Sequence, residues 1–540
     1  MIFLSQRREA VRKIPLAHGR QICFLLAVLL ALSGLAAEIP SASFFTTGAV
    51  HWLQISIAPE GLASLRTNSR QHVTATLREG TNTIQNVGVH LKGSTGSFRP
   101  LDDKPALTLS FDHFEPATRF HGLRKIHLNN SVEDPSYMNE LLGGELFRAA
   151  GVPATRVTHA VVELNGRRLG LYVVKEGFTE EFLGLHFRKT GGNLYDTSAG
   201  PVGHDVDEAL VKDLGANPND RSDLEALTAA AREPDLTARW TRLQGTLDLE
   251  RFLSFMALEI VLGHRDGYSL ARNNFRLYHD PESDRLVFLP HGMDQLFGNP
   301  RAPLTPQMNG LVARAVMETP EGRRAYRART ESLITNVIQR TALHQRVEAT
   351  LAALRPALER KEVRALEQAV ATLHGRIDER LQTVEQQLHE PPREPLHFEK
   401  GFAPLPLALW QRTDVPAGGS LEVTNAPDGR RALVIQAGPV TAASWRCRVV
   451  LPPGRYQFEG EVRTAGVKVL RSGKNHGATL RVLPATRALP WLGDQPWTTQ
   501  RVALEVRGAE QEVELGCELR ASTGKAWFAM DSLRLVRLPP

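Results

Sequence analysis

Between residues 50 and 110 apolar and polar side chains alternate with period two, as in Val73-Thr74-Ala75-Thr76-Leu77 and Val87-Gly88-Val89-His90-Leu91. Such alternation predicts half-buried β-strands. A third strand is expected at Leu107-Thr108-Leu109-Ser110-Phe111, beyond the polar turn Lys92-Gly93-Ser94-Thr95-Gly96-Ser97. The period then changes. Met138, Leu141, Leu142 and Leu146 recur at helical spacing, with Asp134 placed as N-cap, Pro135 at the first helical position, and Gly151 and Pro153 as stops. Val161 to Leu164 and Leu169 to Val174 flank Asn165-Gly166, a two-residue hairpin signal, and the second strand runs on to Glu176.

Residues 200–245 are polar, Ala-rich and read as helical. Asp248 caps a segment from Leu249 to about Leu262 that is apolar almost all round, which predicts a buried core helix. Two short strands bounded by Asp280-Pro281 come next, and from Thr319 to Leu388 the pattern is charged and helical in period. Pro391, Pro392 and Pro395 mark a linker. Beyond them about eight short strands separated by turn residues predict an all-β sandwich of jelly-roll type. The expected class is α+β. The expected organisation is an export signal at 1–37, a main domain at 38–390 with a helical part at about 319–390, a linker at 391–405, and a β-sandwich at 406–540.

Charge sharpens one point. The formal net charge is +6, but the first 37 residues hold five basic side chains against Glu9, leaving 60 basic and 58 acidic in the remainder. So balanced a chain has no electrostatic claim on nucleic acid. The same 37 residues read as an export signal: a basic stretch, an apolar run from Ile22 to Leu32, and small residues at Leu35-Ala36-Ala37. No later segment is long and apolar enough to cross a membrane, so an exported protein is expected, outside the cytoplasm or at the cell surface. Cys447 and Cys517 are the only cysteines after that signal, and either a disulfide or two buried thiols fits them.

Candidate chemistry centres on two aspartates separated by the 275–290 hairpin. Asp266 lies in Leu262-Gly263-His264-Arg265-Asp266, ahead of Asn273 and Asn274, and Asp294 lies in His291-Gly292-Met293-Asp294-Gln295-Leu296-Phe297-Gly298. Phosphoryl transfer needs a carboxylate for the acceptor hydroxyl, oxygen ligands for a metal, and cations over the phosphates. The order of elements from 87 to 298 supplies them: a Gly/Ser turn, a lysine beside a strand (Lys104), a helix bearing Glu140 and Glu145, a hairpin ending at Glu176, a core helix, and two aspartate loops. Taken singly, each part has a plainer reading. Asp294 can cap a turn, Lys104 can be a solvated loop charge, Glu176 can end a strand, and Gly93-Ser94 can be an ordinary hairpin turn.

These ordered pieces, with Leu128-Asn129, Gly192-Asn193-Leu194-Tyr195, Asn274-Phe275-Arg276-Leu277-Tyr278 and Arg376-Ile377-Asp378-Glu379-Arg380, make residues 50–390 resemble the CotH family of atypical kinases. The resemblance implies a divergent protein-kinase-like fold that uses ATP and Mg²⁺, or Mn²⁺, to phosphorylate secreted or surface proteins. It implies Asp266 as the catalytic aspartate, Asp294 and Asn274 as metal ligands, Lys104 on the phosphates with Gly93 and Ser94 beside them, and Glu176 near the nucleotide. One departure stands out: where the family commonly has Trp-Asp-x-Asp, this chain has His291-Gly292-Met293-Asp294, one carboxylate fewer. The sandwich is similar in strand pattern to carbohydrate-binding modules, with Trp491 and Trp497 as candidate sugar contacts and Trp445 and Trp527 as core. The rival expectation is a non-catalytic surface scaffold with a glycan-binding sandwich. A wall-polymer hydrolase has no independent support in the sequence.

Overall fold

Seven strands close a barrel: β1 (Val50–Ile57), β2 (Val73–Glu79), β3 (Asn82–Lys92), β4 (Ala106–Ser110), β5 (Lys125–Asn129), β6 (Val157–Leu164) and β7 (Arg167–Glu176). Their order is β1-β2-β3-β4-β5-β7-β6, and a parallel β1–β6 pairing shuts the ring. The alternating residues of the sequence fill it: Leu77, Val87, Val89, Leu107, Leu109, Ile126, Leu128 and Val174 are all buried in one cluster. Closure leaves no open sheet edge, so this half of the molecule is rigid around the residues it presents. The computed structural model describes residues 40–539 apart from 47–49, 95, 198–202, 391–393, 472–474, 484–485 and 508–509. The expected export signal, Thr95 and residues 391–393 therefore lie outside the described residues.

One helix, Asn139–Ala149, is inserted between β5 and β6. It begins later than the sequence suggests. Tyr137 sits at φ 59°, which a right-handed helix cannot contain. The Asp134 carboxylate accepts from the backbone N–H of Ser136 and of Asn139 at 3.0 and 2.9 Å, so it organises the turn ahead of the helix. The helix then lays Leu142, Leu146 and Phe147 against the second half of the molecule, where Phe147 and Phe255 rings lie 5.9 Å apart.

That second half is built on the helix Leu249–Val261, capped as expected by Asp248, whose side chain accepts from Arg251 N–H. Beside it lies a four-stranded sheet ordered β11-β10-β8-β9, from β8 (Leu194–Asp196), β9 (Val211–Leu214), β10 (Phe275–Asp280) and β11 (Arg285–Pro290). Helices Pro320–Asn336, Arg340–Leu354 and Arg360–His389 complete a core that reaches Val384. The polar stretch 200–245 carries helices Ser222–Ala231 and Leu236–Thr246, and also β9, whose exposed alternation hides it from a hydrophobic pattern.

Two further sheets of seven and five strands pack face to face as the C-terminal sandwich. Strand Phe402–Pro404 pairs with Arg534–Arg537, so the end of the expected linker is already sheet. Cys447 and Cys517 are buried there as thiols with no bond between them. Trp445 is core, but Trp527 is buried on the opposite face of its sheet in a satellite cluster with Val434 and Trp497. No helix among the described residues is long and apolar enough to cross a membrane.

Candidate active site

Lys175 and Glu140 form the centre of a cleft of about 800 Å³ between the barrel and the helical half. Side chains on a strand alternate, so the β7 residues Val173 and Lys175 face the cleft while Glu176 faces away. Lys175 Nζ donates to both Glu140 carboxylate oxygens at 2.7 and 2.8 Å, and both side chains are fully buried. Asn129 Nδ2 also donates to Glu140, at 3.4 Å, and its Oδ1 accepts from Lys92 Nζ at 2.6 Å. Lys175 thus holds the carboxylate directly and Lys92 reaches it through the Asn129 amide, which brings two amines to one side of the cleft. Burial first, then the neighbouring Lys175, brings the Lys92 pKa down to about 7.

Opposite the lysines, the buried helix Leu249–Val261 delivers the loop that carries Asp266. Glu259 accepts from the backbone N–H of Tyr268 and Ser269 at 2.8 and 2.9 Å and so fixes that loop from beneath. Burial raises the Glu259 pKa to about 7. Asn274, in the left-handed region at φ 50°, donates from Nδ2 to Asp266 Oδ2 at 2.7 Å, and Asn273 adds a second bond to the same oxygen at 3.2 Å. Both amides thus bond the same oxygen, Oδ2, of a carboxylate that lines the cleft. His264 ties the two aspartate loops together, since its Nε2 lies 3.1 Å from the carbonyl of His291.

Arg380 has a role that no local pattern announces. Its fully buried guanidinium donates to the carbonyls of Val261, Ile260, Pro300 and Ala302 at 2.8, 2.8, 3.1 and 2.6 Å. It therefore satisfies the C-terminus of the helix that leads to Asp266 and the chain that follows Asp294. The signal available in the sequence was an arginine on the otherwise apolar stripe of a charged helix.

Asp294 reaches into the cleft from the second loop, and its backbone carbonyl accepts from Asn139 at 2.9 Å. Its carboxylate makes no hydrogen bond among the described residues. Burial, with Glu140 and Glu133 nearby, raises its pKa to about 7. Such a group gains from a cation. With the Asn274 amide oxygen it offers the oxygen donors that Mg²⁺ or Mn²⁺ prefers, and Mg²⁺ keeps water and phosphate in its remaining positions. No three His, Cys, Asp or Glu side chains converge into a metal cage among the described residues. Gly292 explains the missing acid locally: its φ is 55°, and a Cβ there would lie 2.4 Å from Asn274 Oδ1. His291 is half buried, desolvation and the nearby Lys175 and Arg276 charges push its pKa well down, and its Nδ1 has no partner among the described residues.

Gly93, Ser94, Asp266, Asn274 and Asp294 thus all line one cleft. Lys104 and Glu176 do not. Lys104 Nζ donates to the Tyr137 hydroxyl at 2.7 Å and lies 5.1 Å from the Tyr172 ring centroid, on the far side of the barrel wall. Glu176 is bound by Arg156, Nε to Oε2 at 3.0 Å. Glu145, the alternative partner for a lysine, pairs with Arg346 instead.

A second cavity of about 910 Å³ adjoins the cleft, with Glu133, Asp294 and Gln295 lining both. Its other walls come from Leu270 and Pro306 on one side and from the sandwich residues Leu483 and Val506 on the other. In the sandwich, the Trp497 indole bonds to Asp428 and carries the Arg430 guanidinium 4.9 Å from its ring centroid. Trp491 is half buried at the rim of the core.

A closed barrel joined to a helical half, with a lysine–carboxylate pair facing two aspartate loops, defines a divergent protein-kinase-like fold. A family model described as CotH kinase protein matches residues 89–390, more than half of the 540, and the chain belongs to that family. Invasin CotH2 of Rhizopus delemar is 28% identical over 187 residues, which is 32% of this chain and 32% of the invasin. Inner spore coat protein H of Bacillus subtilis is 24% identical over 210 residues, 36% of this chain and 55% of that protein. The chain therefore spans from a third to about half of the length of these relatives. Among solved structures, the Helicobacter pylori proinflammatory kinase CtkA is 9% identical over 56% of this chain and 98% of its own, with a TM-score of 0.27. TmCBM61 in complex with beta-1,4-galactotriose is 15% identical over 25% of this chain and 91% of its own, with a TM-score of 0.19.

Proposed function

We propose that this chain is an ATP-dependent atypical protein kinase that transfers the γ-phosphoryl group to Ser or Thr hydroxyls of secreted or surface proteins. The observation that carries the proposal is the buried Lys175–Glu140 pair in the same cleft as Asp294, whose carboxylate is raised in pKa and has no hydrogen-bond partner among the described residues. Lys175, aimed by Glu140, and Lys92 would contact phosphate oxygens, under the loop at Gly93 and Ser94. Asp294 and Asn274 would hold Mg²⁺ or Mn²⁺, which supplies charge neutralisation on the phosphates. Asp266, its Oδ2 fixed by two amides, would orient the acceptor hydroxyl and take its proton through Oδ1. The adjoining cavity gives that hydroxyl an approach from the side where the sandwich stands. The surface location is supported by the names of relatives, a spore coat protein and an invasin. Glycan contact through Trp491 or Trp497 would serve to hold the protein at such a surface.

Gly292 favours a second reading, a non-catalytic scaffold, because one acidic side chain is absent where the family carries it. Equilibrium binding of ATP and ADP to the full chain, with and without Mg²⁺ or Mn²⁺, tests both at once. Metal-dependent binding lost in Lys175→Met supports an ATP site; no binding with either metal removes the kinase and leaves the non-catalytic scaffold.

A further inference from the structure

His344 and His374 face each other from the helices Arg340–Leu354 and Arg360–His389, and neither lines the cleft. Each is followed four residues later by an acid, Glu348 and Asp378, a spacing that puts histidine and acid on one helix face. The pairs cross over. His344 Nε2 lies 2.9 Å from Asp378 Oδ1, and His374 Nε2 lies 2.8 Å from Glu348 Oε1. An ionised carboxylate only accepts, so each Nε2 carries the ring proton. In a neutral imidazole the other nitrogen is then a lone pair, yet the two Nδ1 atoms are in direct contact. Two lone pairs repel unless a proton or a metal ion lies between them.

We propose that His344 and His374 bind a divalent transition-metal ion, Zn²⁺ in the first place, through their Nδ1 atoms. A carboxylate behind the second ring nitrogen is the arrangement that orients metal-ligating histidines, and it is present here twice. Imidazole nitrogen suits Zn²⁺ and not Mg²⁺, so this ion is distinct from the one proposed in the cleft. Both rings are about a quarter exposed, open to an ion from solution. Tetrahedral coordination needs the two nitrogens to part to about 3.4 Å, a small movement for side chains at a surface. No third His, Cys, Asp or Glu converges with them among the described residues, so water completes the shell and the affinity is moderate. Asp378 also accepts from Arg340 Nη1 at 3.3 Å, which leaves Glu348 as the cleaner positioning residue to change. The bound ion cross-links the helix that carries Arg380 to its neighbour.

The test is calorimetric titration of tag-free, chelator-treated full chain with ZnCl₂, with Co²⁺ absorption as a second probe. One equivalent should bind with micromolar Kd. Binding should fall at least ~100-fold in His344→Gln and in His374→Gln, and about 10-fold in Glu348→Gln, whose exposed side chain can change without unfolding the helix pair. A metal-free thermal melt of each variant confirms folding. Wild-type protein that fails to bind Zn²⁺ below ~100 μM, or binding that survives in the folded double histidine variant, overturns the proposal.

Discussion

Lys175 on the last barrel strand and Glu140 on the inserted helix are joined through both carboxylate oxygens, at 2.7 and 2.8 Å, with both side chains fully buried. A buried pair of this kind is costly to break from one side, because the surviving charge is left uncompensated. It also holds the helix, and with it the wall of the cleft, at a fixed distance from the barrel.

Lys175→Met should therefore lower kcat/KM for phosphoryl transfer at least ~100-fold, the loss typical of removing a charge that acts on the transition state. Lys104→Met should change it by no more than about threefold, since Lys104 is spent on Tyr137 outside the cleft. Steady-state kinetics of the two variants side by side decides which lysine serves the phosphates. Equal, large losses would reverse the assignment.

The Asp294 carboxylate carries a pH signature. Its pKa is raised from 3.8 to about 7 in the folded chain, so the folded state binds its proton more tightly than the unfolded state does. This contribution to stability is full below about pH 4 and is lost as pH rises through about 7. Asp294→Asn should melt a few degrees above wild type at pH 8 without metal or nucleotide, and level with it at pH 4. Mg²⁺ and ADP should raise the melting temperature of wild type and not of the variant. Thermal melts across that range check both statements.

Restoring the missing acid should fail. Gly292→Asp puts a Cβ 2.4 Å from Asn274 Oδ1 at a φ that disfavours any side chain, for a cost of about 2 kcal/mol. The displaced Asn274 amide would also release Asp266 Oδ2. Denaturant unfolding should show the loss of stability, and transfer should fall rather than rise. Asn274→Gly in the same chain should recover part of the stability and none of the activity.

Arg380→Leu removes four hydrogen bonds to buried carbonyls and should cost about 3 kcal/mol or more. Its second effect should be functional, because two of those carbonyls lie in the loop after Asp294. A lower kcat at a temperature where the variant is fully folded would show it, with circular dichroism as the control for folding.

Much of the fold was legible because it rests on local pattern. The period-two runs at 73–77, 87–91 and 107–111 lie within β2, β3 and, but for Phe111, β4, and Asn165-Gly166 turns the β6–β7 hairpin. Asp248 caps its helix as its position suggests. The cleft was legible in part for the same reason: loops that follow a core helix and a hairpin come together, which brings Asp266, Asn274 and Asp294 to one place. The choice of lysine was not legible. Lys92 and Lys175 each end or nearly end a strand on the outer face of the barrel, as ordinary charged residues do, and only the packing of the helical half beside that face encloses them in a cleft. Glu176 misled for a related reason, since a one-residue step along β7 reverses the side a residue faces. Arg380 gains its meaning from contacts about eighty and 120 residues away, which no periodicity can express.

The most direct measurement is incorporation of γ-labelled phosphate by the full chain with Mg²⁺ or Mn²⁺, into itself and into an exogenous Ser/Thr protein such as dephosphorylated casein, beside Lys175→Met, Asp266→Asn and Asp294→Ala. Label in wild type that disappears in all three variants is the predicted result. Folded wild type that binds ATP with metal and transfers nothing to either acceptor would contradict the account and leave the scaffold reading in its place.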